Sequence, residues 1–308
     1  MPKKTLSIEW LSGCSGCEVA FADLHENLPK VLKDEVEVVR FPLLMDTKDY
    51  VPADIGMITG SIRTEHDVIA AKAMRESCKT IIAWGTCPVY GGPHSGDYAH
   101  SKAELLANSF IHNPTTRTTE EPSQVPKLEE ESRTLDSEIE VDFYIPGCPP
   151  HHAFVIEGLR ALLEGRQPKI GKHNVCFDCS RKMEKTSVNR LYRSYEKTFD
   201  SELCFLSQGC LCFGSVALDR CRKAPCPGIG VPCFACGGPS EQVILEPQKD
   251  VWNLVAERMA YLTEIPKSTI INAIKQQAKT HYAYVMVSPI FRHKPTFQLK
   301  QWIQQSNS

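Results

Sequence analysis

No apolar run in this chain of 308 residues approaches the ~20 needed to cross a bilayer as a helix. No charge of one sign dominates: 35 Lys and Arg stand against 37 Asp and Glu, a formal net charge of −2, so nothing global draws the chain to nucleic acid or anionic lipid. Only Met1-Pro2-Lys3-Lys4 precede the strand-like Thr5-Leu6-Ser7-Ile8-Glu9-Trp10, which leaves no room for a signal peptide. Fourteen cysteines over this length are too sparse for a disulfide-stapled scaffold, and no internal repeat recurs beyond cysteine pairs. Together these absences predict a cytoplasmic protein without a membrane span, whose thiols stay reduced and open to metal. With 42% apolar and 23% charged residues, the chain is long enough for two globular domains.

What is present is a pattern of thiols. Cys14-Ser-Gly-Cys17, Cys176-Phe-Asp-Cys179 and Cys233-Phe-Ala-Cys236 are three C-x2-C pairs, each able to place two sulfurs on one metal centre. Zinc sites also use such pairs, but a zinc ribbon brings its second pair within about 20 residues. Here the single thiols in Gly85-Thr86-Cys87-Pro88 and Pro146-Gly147-Cys148-Pro149-Pro150 lie far from Cys14 and Cys17, so a fold must assemble that site. Twelve of the fourteen cysteines sort into three sets of four, the number that three iron–sulfur cubanes require.

The first half reads as alternating strand and helix. Strand-like segments occur at Leu6–Leu11, Val36–Phe41, Ile55–Thr59, Thr80–Trp84 and Val141–Ile145, with helix-compatible stretches Glu18–Leu28, Glu65–Cys78 and His151–Leu163. This predicts an α/β fold, a doubly wound parallel sheet in flavodoxin-like order over residues 1–165. Cys14 and Cys17 follow the first strand, Cys87 the fourth and Cys148 the fifth, all past the carboxyl ends where such sheets bind ligands. Gly13, Gly16, Gly85 and Gly147 allow tight turns and close backbone approach to a bound group. The polar, acidic stretch between Ala99 and Glu140, with Glu129-Glu130-Glu131, reads as a solvated surface excursion.

After about Gly165 the rhythm stops, predicting a loop-rich iron–sulfur domain over residues 166–308. Cys176, Cys179 and Cys204 call for a fourth thiol, which Gly209-Cys210-Leu211-Cys212-Phe213-Gly214 offers twice; Cys221, Cys226, Cys233 and Cys236 form the remaining set. Cys78 ends an amphipathic stretch and reads as a buried hydrophobe.

Trp10-Leu11-x2-Cys14-x2-Cys17-Glu18, Gly85-Thr86-Cys87 with Gly91-Gly92, and Pro146-Gly147-Cys148-Pro149-Pro150 resemble, in that order, the proximal-cluster motifs of [NiFe]-hydrogenase small subunits. The later stretch, up to about Pro239, is most similar to the cytoplasmic branch of that family, the gamma subunits of methyl-viologen-reducing hydrogenases associated with heterodisulfide reductase. The resemblance implies an oxidoreductase subunit without catalytic residues of its own, the Ni–Fe site lying on a partner large subunit. It implies three [4Fe–4S] clusters: proximal on Cys14, Cys17, Cys87 and Cys148, medial on Cys221, Cys226, Cys233 and Cys236, distal on Cys176, Cys179, Cys204 and Cys212. Cys212 fits better than Cys210 because Phe213-Gly214 reproduces the step that follows the family's ligand. Cys176 stands where periplasmic members carry a histidine, Cys226 adds a fourth medial thiol, and their twin-arginine signal is absent. The implied onward acceptors are a small iron–sulfur delta-type subunit and the flavin subunit of heterodisulfide reductase. The gamma subunit of a deazaflavin-reducing hydrogenase, and an electron-transfer subunit with a non-hydrogenase partner, are the alternatives. A respiratory complex I subunit of the twenty-kilodalton type shares the first scaffold but uses adjacent cysteines near its first strand. A zinc scaffold stays open for Cys221–Cys236 alone.

Other residues carry separate expectations. Glu18 either tunes the proximal site, assists proton movement, or simply favours a helix N-terminus. His94, His151 and His152 read as surface or interface residues. Arg181–Lys197 carries six Lys and Arg against two Glu, a solvated face or an electrostatic docking face for an electron acceptor. Val251, Leu254, Val255, Arg258 and Leu262 fit one helix, and Ile270, Ile271 and Ile274 another. Tyr282, Tyr284, Phe291, Phe297 and Trp302 in the tail suggest packing against a partner.

Overall fold

The computed structural model describes residues 3–94, 100–115, 120–245, 251–276 and 284. The chain divides into two compact units, one comprising Met1–Lys169 and taking up the chain again from Tyr284, the other Ile170–Ala283. The division thus falls four residues beyond the expected boundary at 165, and Tyr284 groups with the first unit: its carbonyl accepts from the Gly92 N–H at 3.2 Å. Tyr282, Phe291, Phe297 and Trp302 lie outside the described residues.

Among the described residues seven strands build the first unit: β1 (Lys4–Trp10), β2 (Val36–Arg40), β3 (Ala53–Thr59), β4 (Ile62–Thr64), β5 (Cys78–Trp84), β6 (Leu128–Arg133) and β7 (Phe143–Ile145). Five of them form a parallel sheet in the order β2-β1-β3-β5-β7, the flavodoxin-like order once the small β4–β6 pair is set aside. Leu6, Ile8, Ile55, Met57, Ile81 and Ile82 are buried, as expected of strands covered on both faces, whose apolar residues run on rather than alternate. Cys78 is one of these packed hydrophobes, lying against Gly56, where an added Cβ would come within 2.8 Å of its sulfur. The register decides where the loops emerge. Trp10 pairs with Thr59, Ile58 with Ala83 and Trp84 with Ile145, so β1, β3, β5 and β7 end side by side along one edge of the sheet.

Two expectations need correction. The stretch Glu18–Leu28 is not one helix: a helix Gly16–Ala22 stops, His25 turns left-handed at φ 51°, and a short helix restarts over Asn27–Lys30. Pro29 explains the break, since its ring would collide with the carbonyl of His25 inside a continuous helix. Nor is the acidic excursion structureless. Leu128–Arg133 is β6, antiparallel to β4, with Arg133 paired to Glu129 at 2.8 Å and to Glu138, and the following Thr134, Leu135 and Asp136 are buried. Tertiary pairing there overrides the low strand propensity of three consecutive glutamates.

In the second unit, helices Val251–Leu262 and Lys267–Gln276 bury Val255, Ala256, Met259, Ile270 and Ile274. Residues 170–240 hold only short helical turns and isolated bridges, with no named strand among them.

The helix Glu65–Ser77 begins with a capping box in which Thr64 and Asp67 exchange hydrogen bonds. Asp67, buried, also accepts from the Ser12 hydroxyl at 2.8 Å and the Arg63 N–H at 3.0 Å, tying the helix to the loop two residues before Cys14. Asp67→Ala is expected to cost about 2–3 kcal/mol, because several donors lose a charged acceptor. Thr64→Ala, which removes only the cap, should cost about 1 kcal/mol. Urea denaturation at unchanged m-value measures both.

Candidate metal centres

The aligned strand ends deliver four thiols to one cavity of about 370 Å³, lined by Cys14, Cys17, Cys87 and Cys148. Cys14 leaves β1 through the Leu11–Ser15 loop, and Ser15, left-handed at φ 55°, opens the helix that carries Cys17. Cys87 sits in the short helix Thr86–Tyr90 after β5. The exits of β5 and β7 are zipped by Gly85 N–H to Ile145 O, Thr86 N–H to Gly147 O, both 2.9 Å, and Gly147 N–H to the Thr86 hydroxyl at 3.0 Å. That ladder fixes Cys87 against Cys148.

Glycine is required at two places on the cavity wall. Gly85 has φ 102°, and a Cβ there would stand 2.5 Å from the Cys17 sulfur; at Gly92, φ 68°, it would strike the Cys87 sulfur. Backbone that must pass so close to sulfur leaves room for no side chain. Burial pushes the Cys87 thiol up to about 12 and raises Cys17 as well, with repulsion from neighbouring thiols and Glu18 adding to both.

Glu18 lines the same cavity and is buried; one carboxylate oxygen accepts from the Thr59 hydroxyl at the end of β3, the other has no hydrogen-bond partner among the described residues. Burial raises its pKa and the Thr59 hydrogen bond offsets part of that. The Thr59 contact is invisible in the sequence, since it depends on the β1–β3 register. Of the lining residues Cys14 and Trp10 are exposed, and Val19, next to Glu18 in the chain, is exposed as well.

The second unit brings Cys176, Cys179, Cys204 and Cys212 to another cavity, of about 350 Å³. Cys210 does not line it: this thiol is buried, its sulfur lies 3.9 Å from the Leu211 carbonyl, and burial pushes its pKa up to about 12. Burial also pushes Cys176 to about 12 and Cys212 to about 11.

Cys221, Cys226, Cys233 and Cys236 are the remaining set: burial and the Asp219 charge raise Cys221, with Cys236 and Cys226 adding, and burial raises Cys233, with Cys212, Cys236 and Cys221 adding. Between Cys221 and Cys226 the backbone is left-handed at three successive residues, Arg222, Lys223 and Ala224, a conformation costing roughly 1–2 kcal/mol per residue. Two carboxylates hold it. Buried Asp219 accepts from the N–H groups of Cys221 at 3.1 Å and Arg222 at 3.0 Å, and Asp178 accepts from Lys223 N–H at 3.3 Å. His173 Nε2 lies 3.4 Å from Asp219 and 3.9 Å from Asp178. The two thiol groups of this unit also touch: Cys233 N–H donates to the Cys212 sulfur at 3.3 Å, and Phe213 N–H to Cys233 O at 2.9 Å.

Four soft sulfur donors per group suit zinc or iron–sulfur centres and exclude calcium or magnesium. Main-chain N–H groups aimed at sulfur, from Gly16 to Cys14 at 3.4 Å and from Cys233 to Cys212, add the hydrogen bonding that iron–sulfur sites use.

His94, His151 and His152 line neither thiol cavity. His151 caps the helix His152–Leu163 and its ring lies 4.0 Å from that of His152, while His94 is exposed. The basic stretch is mixed. Arg181 is buried, Lys185 lies over the Tyr261 ring at 4.1 Å, and Arg190 and Lys197 lie over Tyr192 at 4.4 and 4.3 Å.

Known proteins resemble this chain. The family model described as NADH ubiquinone oxidoreductase, 20 Kd subunit, matches residues 14–162. An F420-non-reducing hydrogenase vhu subunit of Methanocaldococcus jannaschii is 36% identical over 265 residues, covering 85% of this chain and 91% of the relative. A chain of a NAD+-reducing [NiFe]-hydrogenase, solved in the H2-reduced state, superposes with a TM-score of 0.51 at 30% identity over 55% of this chain and 96% of its own. An actinobacterial-type NiFe-hydrogenase from Ralstonia eutropha matches 90% of both chains with a TM-score of 0.50 at 16% identity, a likeness of fold.

Two outcomes are expected. Gly85→Ala and Gly92→Ala should each displace a cavity sulfur and lower the metal that the chain binds; Gly165→Ala, also at positive φ but in open space, should leave it unchanged. Iron and sulfide assays on the purified variants decide. Because burial holds the Cys17, Cys87, Cys176, Cys212, Cys221 and Cys233 thiols protonated well above neutral pH, metal loading of the reduced, metal-free chain should release protons and weaken as pH falls. Calorimetry in buffers of differing ionisation enthalpy reads the proton count.

Proposed function

This chain belongs to the family of F420-non-reducing hydrogenase iron–sulfur subunits, the electron-transfer subunits of hydrogenases, and from that premise we propose that it holds three [4Fe–4S] centres and relays electrons from hydrogen oxidised on a partner large subunit. The observation that carries the reading is the convergence of Cys14, Cys17, Cys87 and Cys148, from three strand ends, on one cavity. They are assigned the proximal centre, Cys221, Cys226, Cys233 and Cys236 the medial, and Cys176, Cys179, Cys204 and Cys212 the distal. When bound, such centres supply one-electron transfer at potentials set by burial, charge and hydrogen bonds to sulfur.

The chain's own residues do the rest. Gly85 and Gly92 let the backbone close over the proximal sulfurs, Glu18 places a carboxyl beside them, and exposed Trp10 and Val19 offer apolar surface for the large subunit. Asp219 and Asp178 brace the medial loop. The onward acceptor is assigned to a delta-type iron–sulfur subunit and the flavin subunit of heterodisulfide reductase, in the cytoplasm; among the described residues no helix is long and apolar enough to cross a membrane.

Anaerobic co-purification from the native host tests this. About twelve iron and twelve sulfide per chain, with nickel and hydrogen-dependent viologen reduction, is the expected result. The same iron without nickel removes the hydrogenase partner; zinc in place of iron overturns the relay; F420 as the preferred acceptor favours the deazaflavin-reducing alternative. Within the chain, Cys212→Ser should lose the distal centre and Cys210→Ser should keep it, with iron content and low-temperature paramagnetic resonance as readouts.

A further inference from the structure

Arg181 is a buried cation at the wall of the cavity formed by Cys176, Cys179, Cys204 and Cys212. Its Nε donates to Pro227 O at 2.8 Å, and a terminal nitrogen donates to the carbonyls of Asp200 and, at 3.0 Å, Leu203. The guanidinium lies over the Phe205 ring, 4.1 Å from its centre. Carbonyls and a ring satisfy donors but bring no net negative charge. No ion pair to Arg181 is present among the described residues. The Asp200 carboxylate, in the same loop, feels the Arg181 charge, but it is exposed, screened by solvent, and already accepts from the N–H groups of Glu202 and Leu203. A buried guanidinium with only a solvent-screened anion near it is costly, and the cavity it lines is where a buried counter-charge would sit. Four thiolates leave any cubane they hold net negative, and each electron taken up adds to that charge.

We propose that Arg181 is the counter-charge of the distal centre, holding its reduction potential above what the thiolate set alone would give. The inference rests on the cluster reading above and deepens it. Carbonyl contacts to Pro227, Asp200 and Leu203 keep the cation in place as the electron arrives, so the charge stabilises the reduced state without reorganisation. Arg258, a cation of the same unit, is exposed, so solvent screens its charge and it contributes less.

The test is a paramagnetic-resonance redox titration of the purified complex, with the distal signal assigned as the one lost in Cys204→Ser. Arg181→Gln is expected to shift that midpoint to more negative potential, and by more than the medial midpoint, whose loop Arg181 also touches through Pro227, while the proximal midpoint and the iron content stay unchanged. Arg181→Lys, which keeps the charge, should stay near the wild type, and Arg258→Gln should move it less than Arg181→Gln does. Loss of distal iron in Arg181→Gln but not in Arg181→Lys would also support the proposal. A midpoint unmoved in Arg181→Gln, an equal shift in Arg181→Lys, or loss of distal iron in both would overturn it, leaving the side chain a brace. A wild-type complex with no signal sensitive to Cys204→Ser would instead fail the cluster reading itself, and the inference with it.

Discussion

Sulfur largely withdrawn from water is the constraint on which the rest of this structure turns: of the twelve thiols in the three groups only Cys14 is exposed. A thiolate in such a place is unfavourable unless a cation shares the site, and burial accordingly lifts the thiols of Cys87, Cys176 and Cys221 to about 12. Metal binding must displace those protons, which couples loading to the folded arrangement of each loop. The same low dielectric explains Arg181, whose charge needs an anion as much as the thiolates need a cation.

The two units meet this constraint by different means. In the first, a parallel sheet with its own apolar core fixes the site: register aligns the strand ends, and Gly85, Gly147 and Gly92 shape the backbone around sulfur. In the second, the thiol-bearing residues 170–240 have little regular structure. Asp219, Asp178 and His173 hold the strained turn at Arg222–Ala224, and Arg181 ties the Cys204 loop to the turn that carries Cys226. Metal coordination is the natural source of the remaining order there.

Much of this is legible from spacing and periodicity. Continuous apolar runs mark the parallel strands, and their cysteines fall just past the carboxyl ends, so the proximal group can be read from the chain alone. What escapes such a reading is set by distant partners. Three glutamates in a row hide β6, whose pairing with β4 and neighbouring arginine contacts outweigh propensity. Pro29 is a local break signal, but the helical pattern around it masks the stop at Ala22. Arg181 sits in a basic stretch whose charge count carries no information on burial.

The sequence by itself determined the fold class, the donor chemistry and the pairing of thiols within each C-x2-C step, because alternation, helix periodicity and short spacing are local properties of a chain. Only the tertiary structure decided which thiol of Cys210 and Cys212 faces a cavity, that Glu18 meets Thr59, and that Arg181 turns inward. Each of these depends on strand register or loop packing between residues far apart in sequence, where a shift of one position exchanges the buried and exposed faces.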